Sequence, residues 1–392
     1  MSKRNGSSKT SISRRYNRFK IIEFIRRSEE TTPSEISSKL EISLPTVVRI
    51  LSDLMAERLV ENVGRESSSI GRPATRVRFR GDAYAIIAVH AHISGFYGVL
   101  SDLNGGVLCE LRCDTSRDSE KNLAALVSLI GSLHAEPLPA GCSLCGIGVG
   151  VQSMVRQPEG LVVLTARLGW KSLPLRDLLQ AEFNEPVFVD SDRHLAVVGE
   201  WTFGAGRHVD NLVRLSVGPG ASAGIMVGGE VYRGGSDAAG ELKWFLDDPR
   251  LGGHRLPLLG DRQSLRFDQG IPENAFVALE EVSRDYQEGK ITVEAFDGVF
   301  SSNERLELVR QLLDYATMAA TSVTAILNPT TVVLSGSITR GGSFVADVLR
   351  HRLGGDVYIV PQIVLSQLGL RAVTLGAVKM VLDATALQPA TA

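Results

Sequence analysis

Two stretches of this chain share one layout, and that duplication restricts the fold more than any other feature. Ala85 to Leu108 reads strand, turn, strand, turn, strand, with Asn104-Gly105-Gly106 at the second turn. Asn211 to Tyr232 repeats the pattern, with Gly218-Pro219-Gly220 at its first turn and Gly228-Gly229 at its second. Glycine-bearing breaks between apolar runs mark turns, because glycine reaches backbone angles that other residues resist. α/β material follows each hairpin. Val187-Phe188-Val189-Asp190 reads as a strand running into a helix at Ser191, and Thr331 to Gly336 as a strand and turn before another helix. The pattern predicts an α/β architecture of two lobes with a cleft between them.

The residues before the first hairpin obey different rules. Residues 1–80 hold 17 Lys and Arg against 9 Asp and Glu, while the remainder holds 25 against 35. A basic head on an acidic body directs only the head toward a polyanion. Residues 1–14, rich in Ser, Lys and Arg, are expected to form a disordered basic tail. Tyr16, Ile21, Ile22, Phe24 and Ile25 then recur at helical spacing. Thr32-Pro33-Ser34-Glu35 carries a cap, a proline at the first helical position and the closing Glu of a capping box. Ser43-Leu44-Pro45-Thr46 opens a further helix whose inward stripe is Val47, Ile50, Leu51 and Leu54. This is a helix-turn-helix pattern, and its second helix is the one that enters a major groove. Ser43, Pro45, Thr46 and Arg49 lie on its outward N-terminal face. Hydroxyls there suit phosphates or base edges, and an Arg reads guanine; Ser43 also serves as a plain helix cap, and Arg49 equally as a solvated charge. Leu59 to Val63 and Thr75 to Phe79 read as two strands around a polar loop containing Gly71-Arg72-Pro73, which is a wing. The wing places Arg72, with Arg76 on its second strand, to meet DNA, Arg72 in a narrow minor groove.

Composition narrows the class further. The chain has 392 residues, 44% hydrophobic and 22% charged, which fits two or three globular domains. No apolar run is long enough to span a bilayer, and no secretory h-region follows the basic start, so a cytoplasmic location is expected. Cys142-Ser143-Leu144-Cys145 has CxxC spacing but runs into Gly146-Ile147-Gly148-Val149-Gly150-Val151, a strand, so these thiols are read as small core residues.

Taken in order, several motifs carry a resemblance. They are Gly71-Arg72-Pro73, Gly146-Ile147-Gly148-Val149, Leu168-Gly169-Trp170 and Val189-Asp190-Ser191-Asp192, then Glu200 through Gly206 and Tyr232 through Glu241. From about Tyr16 to about Ala384 the chain resembles the ROK family (repressors, open reading frames and sugar kinases), on its repressor branch. The resemblance implies a winged helix-turn-helix over 15–80 and a two-lobed, actin-like sugar-kinase-like body. Lobe 1 is expected over 84–205 and lobe 2 over 206–388, with the C-terminal helix returning to lobe 1. Kinases of the family carry an Asp-x-Gly-Gly-Thr turn in the first hairpin, where the Asp helps hold Mg–nucleotide and the glycines admit phosphate. Here the equivalent stretch is His90-Ala91-His92-Ile93-Ser94. An imidazole does not replace a carboxylate on Mg²⁺, and phosphoryl transfer depends on that charge and space. Pro219 and Ser222 depart from the second turn's pattern as well.

The family's catalytic Asn-Asp pair appears as Ser191-Asp192. Asp192 is read either as a carboxylate that accepts a hydrogen bond from a sugar hydroxyl or as a helix cap. Glu241 matches a sugar-contacting carboxylate, or is a surface Glu. Trp244 stands at the family's His, where it either stacks on a sugar or packs in the core. Arg167 replaces a usual Asn and favours an anionic ligand such as a sugar acid or phosphosugar. The family's zinc-binding cysteines are missing from 245–275, which hold only His254, so no metal and no cofactor are expected. The expected function is a DNA-binding repressor, or a dual regulator, controlled by a sugar or sugar derivative bound between the lobes, not an enzyme. Its partners are operator DNA and further copies of the same chain, as a homodimer or homotetramer. The helix Asn303 to Leu327 offers dimer surface or core. The alternatives are a sugar kinase with an added head, and a DNA-binding protein whose cleft is vestigial.

Overall fold

The structure, a computed structural model, describes residues 5–65, 75–207, 209–242, 271–298 and 303–386. The head begins with α1 (Asn5–Arg27), α2 (Pro33–Leu40) and α3 (Leu44–Ala56). The helix starting at Asn5 corrects the expectation of a disordered tail over 1–14. Adding a turn to a helix already nucleated by its buried end costs little, and no proline interrupts the run. The apolar residues at helical spacing lie on α1 as expected; Ile21, Ile22 and Ile25 are buried, while Tyr16 is exposed with the Lys20 ammonium 4.7 Å over its ring. Thr32 closes both halves of the capping box with Glu35, which stabilises α2 by about 1 kcal/mol. Two strands, β1 (Val60–Arg65) and β2 (Thr75–Phe79), pair antiparallel behind α3. The tip between them, with Arg72, lies outside the described residues.

The duplicated hairpins become two sheets of one topology. In lobe 1, β3 (Tyr84–His92), β4 (Gly95–Asp102) and β5 (Val107–Cys113) pair antiparallel. β6 (Ser143–Val151) and β10 (Val187–Ser191) extend the other side in parallel, giving the order β10-β6-β3-β4-β5. Between them come α4 (Ser119–His134), a small sheet of β7 (Val155–Arg156), β8 (Leu161–Thr165) and β9 (Trp170–Leu173), and α5 (Leu175–Glu182). Then α6 (Asp192–Phe203) leads into lobe 2. There β11 (Leu212–Val217), β12 (Ala221–Val227) and β13 (Glu230–Val231) form the antiparallel half, and β14 (Thr331–Ser335) and β15 (Gln362–Leu365) the parallel half. The helices α7 (Glu273–Gln287), α8 (Val293–Gly298), α9 (Glu304–Leu327) and α10 (Gly342–Asp356) complete this lobe. Most of the inward residues of α9, among them Leu312, Leu313, Ala316 and Ala320, are in its core.

The last helix, α11 (Arg371–Ala386), lies on the lobe 1 sheet. The glycines of β6 make room for it: a Cβ at Gly146 would stand 2.6 Å from Val381, and one at Gly150 would stand 2.4 Å from Val373. One apolar cluster runs without a break from the head (Ile21, Ile25, Leu54, Phe79) through Ile86 and Val99 to Ala377 and Val381. Among the described residues no helix is long and apolar enough to cross a membrane. The four cysteines are free and partly buried, and Cys142 and Cys145 pack against the apolar clusters as small core residues. Burial pushes the Cys145 thiol up to about 12, which leaves it a poor nucleophile.

Candidate DNA interface and effector cleft

The N-terminal end of α3 presents a mixed face. Ser43, Pro45 and Arg49 are exposed and Thr46 is half-buried, and the Ser43 and Thr46 hydroxyls share a hydrogen bond of 2.8 Å. Ser43 stands at the cap position without making a capping bond, so its hydroxyl is turned to Thr46 instead. Leu44 and Val48 are also exposed on this helix, and they were not picked out from the sequence. Their signal was present, since they fall outside the buried stripe of Val47, Ile50, Leu51 and Leu54. Arg76 lies on β2 with Glu30 3.1 Å from its Nε, where the isolated bridge between Thr31 and Val77 draws the segment after α1 against β2.

The second site forms where β3 ends, α6 begins and the segment after β13 crosses from lobe 2. The β3–β4 turn at Ile93-Ser94 is tied down by two side chains, one local and one from the end of β6. Gln152 Oε1 accepts from the Ile93 amide at 3.2 Å, and His92 Nδ1 accepts from the Ser94 amide at 3.2 Å. Those amides are therefore not free to receive a phosphate, and the His90 and His92 rings stand 5.2 Å apart on the adjoining strand. Mg–nucleotide does not fit this turn. Burial is the main reason His92 is pushed down to about 4, helped by the charges of His90 and Arg167 and opposed by Asp192. It is neutral at pH 7.

His90 is buried and its Nε2 lies 3.5 Å from Asp192 Oδ2. Burial raises the Asp192 pKa, but His90 and Arg193 more than offset this and hold it below the usual carboxylate range. The cap position of α6 falls on Ser191, so Asp192 is the first helical residue and not the cap. The Ser191 hydroxyl is buried without a partner among the described residues. Such a hydroxyl costs free energy unless water or a ligand bonds to it.

Glu241 approaches from lobe 2 and pairs with Arg193 Nη1. Arg193 also donates to the Ala239 carbonyl at 3.0 Å and the Asp237 carbonyl at 2.9 Å. Alongside it, Arg233 grips Asp190 through two bonds of 2.8 and 2.6 Å, with His194 Nδ1 3.2 Å from the same carboxylate. Burial would raise the Asp190 pKa; the bonds from His194 and Arg233 and their charges bring it down to about 2. Gln157 closes the ring by donating its backbone N–H to the Asp237 carboxylate.

The structure thus sets Glu241 against Arg193, the residue that follows Ser191 and Asp192 in the chain, with exposed Arg167 near enough to act on His92. Trp244 and His254 lie outside the described residues. Arg193, His194, Arg233 and Asp237 were missed. The hints were the adjacent Arg193 and His194 at the head of α6 and the presence of Arg233 and Asp237 within the Tyr232–Glu241 motif. Among the described residues no group of three His, Cys, Asp or Glu side chains is placed to hold a metal ion.

Comparison with known proteins is consistent across both parts. The ROK family pattern matches residues 88–249, and the IclR helix-turn-helix domain matches residues 18–64. A xylose repressor of Caldicellulosiruptor bescii is 26% identical over 386 residues, covering 94% of this chain and 95% of its own. A glucokinase of Streptomyces coelicolor is 25% identical but covers only 70% of this chain and 90% of its own, at a weaker level of similarity. A crystal structure described as a ROK family transcriptional regulator, homolog of E. coli MLC protein, superposes with a TM-score of 0.73 at 20% identity. It covers 95% of this chain and 98% of its own.

Proposed function

We infer that this chain, which belongs to the ROK family and carries an IclR-type helix-turn-helix, is a sugar-responsive DNA-binding repressor. One observation carries the reading: a helix-turn-helix head is joined to a sugar-kinase-like body whose phosphate turn has its own amides bonded to Gln152 and His92. We place the head at 15–80 and the lobes at 84–205 and 206–388. On DNA, Ser43, Pro45, Thr46 and Arg49 face the major groove, Leu44 and Val48 meet thymine methyls, and Arg72 reaches the minor groove. Arg76 takes a phosphate once Glu30 releases it. In the cleft, Ser191, Asp192 and Glu241 receive the sugar's hydroxyls and Arg167 stands at the rim; the resemblance alone assigns Trp244 to stack on the sugar. The full-length similarity to xylose repressors makes D-xylose the first effector to try.

The chain acts in the cytoplasm, as a dimer or a dimer of dimers on a two-fold operator, since one module alone gives weak specificity. It does not phosphorylate sugars. The test is selection of duplexes from a random pool by the purified chain, with and without D-xylose, beside an ATP-consumption assay across pentoses and hexoses. An enriched inverted repeat, lost on adding sugar, with no ATP turnover, is the expected result. Failure to enrich any duplex, together with sugar-dependent ATP consumption, overturns it in favour of a kinase.

A further inference from the structure

Helix α6 has polar business at both ends and none between. Its middle residues, Leu195, Ala196 and Val197, are buried. At its start, Arg193 is buried to 4% exposure and its guanidinium spreads over three acceptors of one lobe 2 segment, namely the Asp237 and Ala239 carbonyls and the Glu241 carboxylate. At its end, about 18 Å away along twelve residues, it presents Trp201 and Phe203 to the head. The Arg27 guanidinium of α1 lies 4.6 Å over the Trp201 ring, and that of Arg26 lies 5.3 Å over Phe203.

Helix α11 reinforces this end. Its Lys379 is buried, bonded to Asp383 on the same helix and 3.1 Å from Glu23 of α1, with the Phe19 ring of α1 5.0 Å away and the Trp201 ring 6.0 Å away. A buried ammonium held by two carboxylates and two rings is costly to displace, since each group left alone would be an unpaired charge in a dry site. The two helices are also locked to one another. A Cβ at Gly199 would lie 2.0 Å from the Ala372 carbonyl oxygen, and one at Gly376 would lie 1.8 Å from that of Leu195. Backbones in such contact do not slide independently, because close-packed interiors rearrange between discrete arrangements and do not deform smoothly.

We propose that Arg193 is a positioning residue for the effector segment around Glu241, and that α6 and α11 move as one body that carries the state of that segment to α1 of the DNA-binding head. Arg193 fixes where Glu241 stands by holding the backbone on either side of it. A ligand that donates a hydrogen bond to Glu241 competes with Arg193 for the same carboxylate and so changes the load on the start of α6. The rigid pair delivers that change to Arg26, Arg27 and Glu23. The proposal rests on the cleft being the effector site, but its test needs neither sugar nor DNA, so failure of one reading leaves the other standing.

The experiment is hydrogen exchange by mass spectrometry on the full chain. In R193Q, segment 232–242 and the α1 stretch 17–27 gain exchange together, each by about tenfold, while α9 in lobe 2 stays at its wild-type rate. R193K, which keeps the charge but not the fan of donors, gives the same pattern at smaller size, and it carries the test if R193Q does not fold. R27A cuts the link on the head side. In that background the R193Q change still reaches segment 232–242, and its added effect on α1 falls to less than about half, a non-additivity that a purely local structural role does not produce. The proposal is overturned if R193Q loosens 232–242 while α1 exchange is unchanged, if exchange rises evenly throughout the molecule, or if the R27A and R193Q effects on α1 simply add.

Discussion

At the scale of single residues, the cleft is governed by which charges are paired. Arg233 neutralises Asp190 through a bidentate pair in a site where the carboxylate is almost fully buried. Replacing Arg233 with Ala strands that carboxylate, and the expected loss is about 3–5 kcal/mol in urea unfolding at pH 7. An unchanged midpoint would mean that solvent already reaches Asp190. His92 gives a pH signature. Its folded-state value of about 4 lies below the usual 6.5, so above pH 6.5 both folded and unfolded chains are neutral there. As pH falls below 6.5 the unfolded chain takes a proton that the folded site refuses, so stability is lost progressively down to about pH 4. The wild-type urea midpoint should therefore fall more steeply between pH 7 and pH 4.5 than that of His92→Gln; parallel slopes would contradict this. From the sequence, Asp192 and Glu241 were visible as cleft carboxylates by resemblance. The partner of Glu241 was not, because Arg193 lies 48 positions away in the chain and nothing local says that both turn into one cleft.

At the scale of elements, patterning and chemistry agreed wherever a structure is local. The capping box of Thr32 and Glu35, the strands of both hairpins and the start of α6 at Ser191 all rest on contacts within a few residues. Glycines show the limit of that logic. Gly131 and Gly376 both sit inside helices, and the sequence does not tell them apart. A Cβ at Gly131 meets nothing within 4 Å, while one at Gly376 meets the Leu195 carbonyl oxygen at 1.8 Å. Gly131→Ala should thus stabilise the chain by roughly 0.5–1 kcal/mol through helix propensity. Gly376→Ala should destabilise it by about 1–3 kcal/mol by prising α11 from α6. Paired thermal melts decide the matter, and shifts of the same sign would show that the two helices give way easily. The start of α1 was misjudged for a related reason: composition argued for a tail, whereas a helix anchored by Ile21 and Ile25 extends back at little cost.

At the scale of the molecule, the head is not a bead on a string. It shares one apolar cluster with lobe 1, and Tyr84 donates to the Glu57 carbonyl at 2.9 Å. Residues 1–80 made alone should therefore melt well below the full chain and less cooperatively, since a domain of this size is marginal without its neighbour. Circular dichroism of the two proteins tests this, and a head that melts at the temperature of the full chain would refute it. The charge asymmetry, the helix-turn-helix, the twin hairpins and an imidazole, not a carboxylate, at position 90 were all set by the sequence alone. Each is a property of residue type and short-range spacing. Only the tertiary structure decided that the Ile93 amide is already bonded to Gln152, that Arg193 holds Glu241, and that Lys379 ties the last helix to the first. Those facts depend on groups far apart in the chain meeting in a dry interior, where the cost of an unpaired charge, invisible in any local pattern, selects the partner.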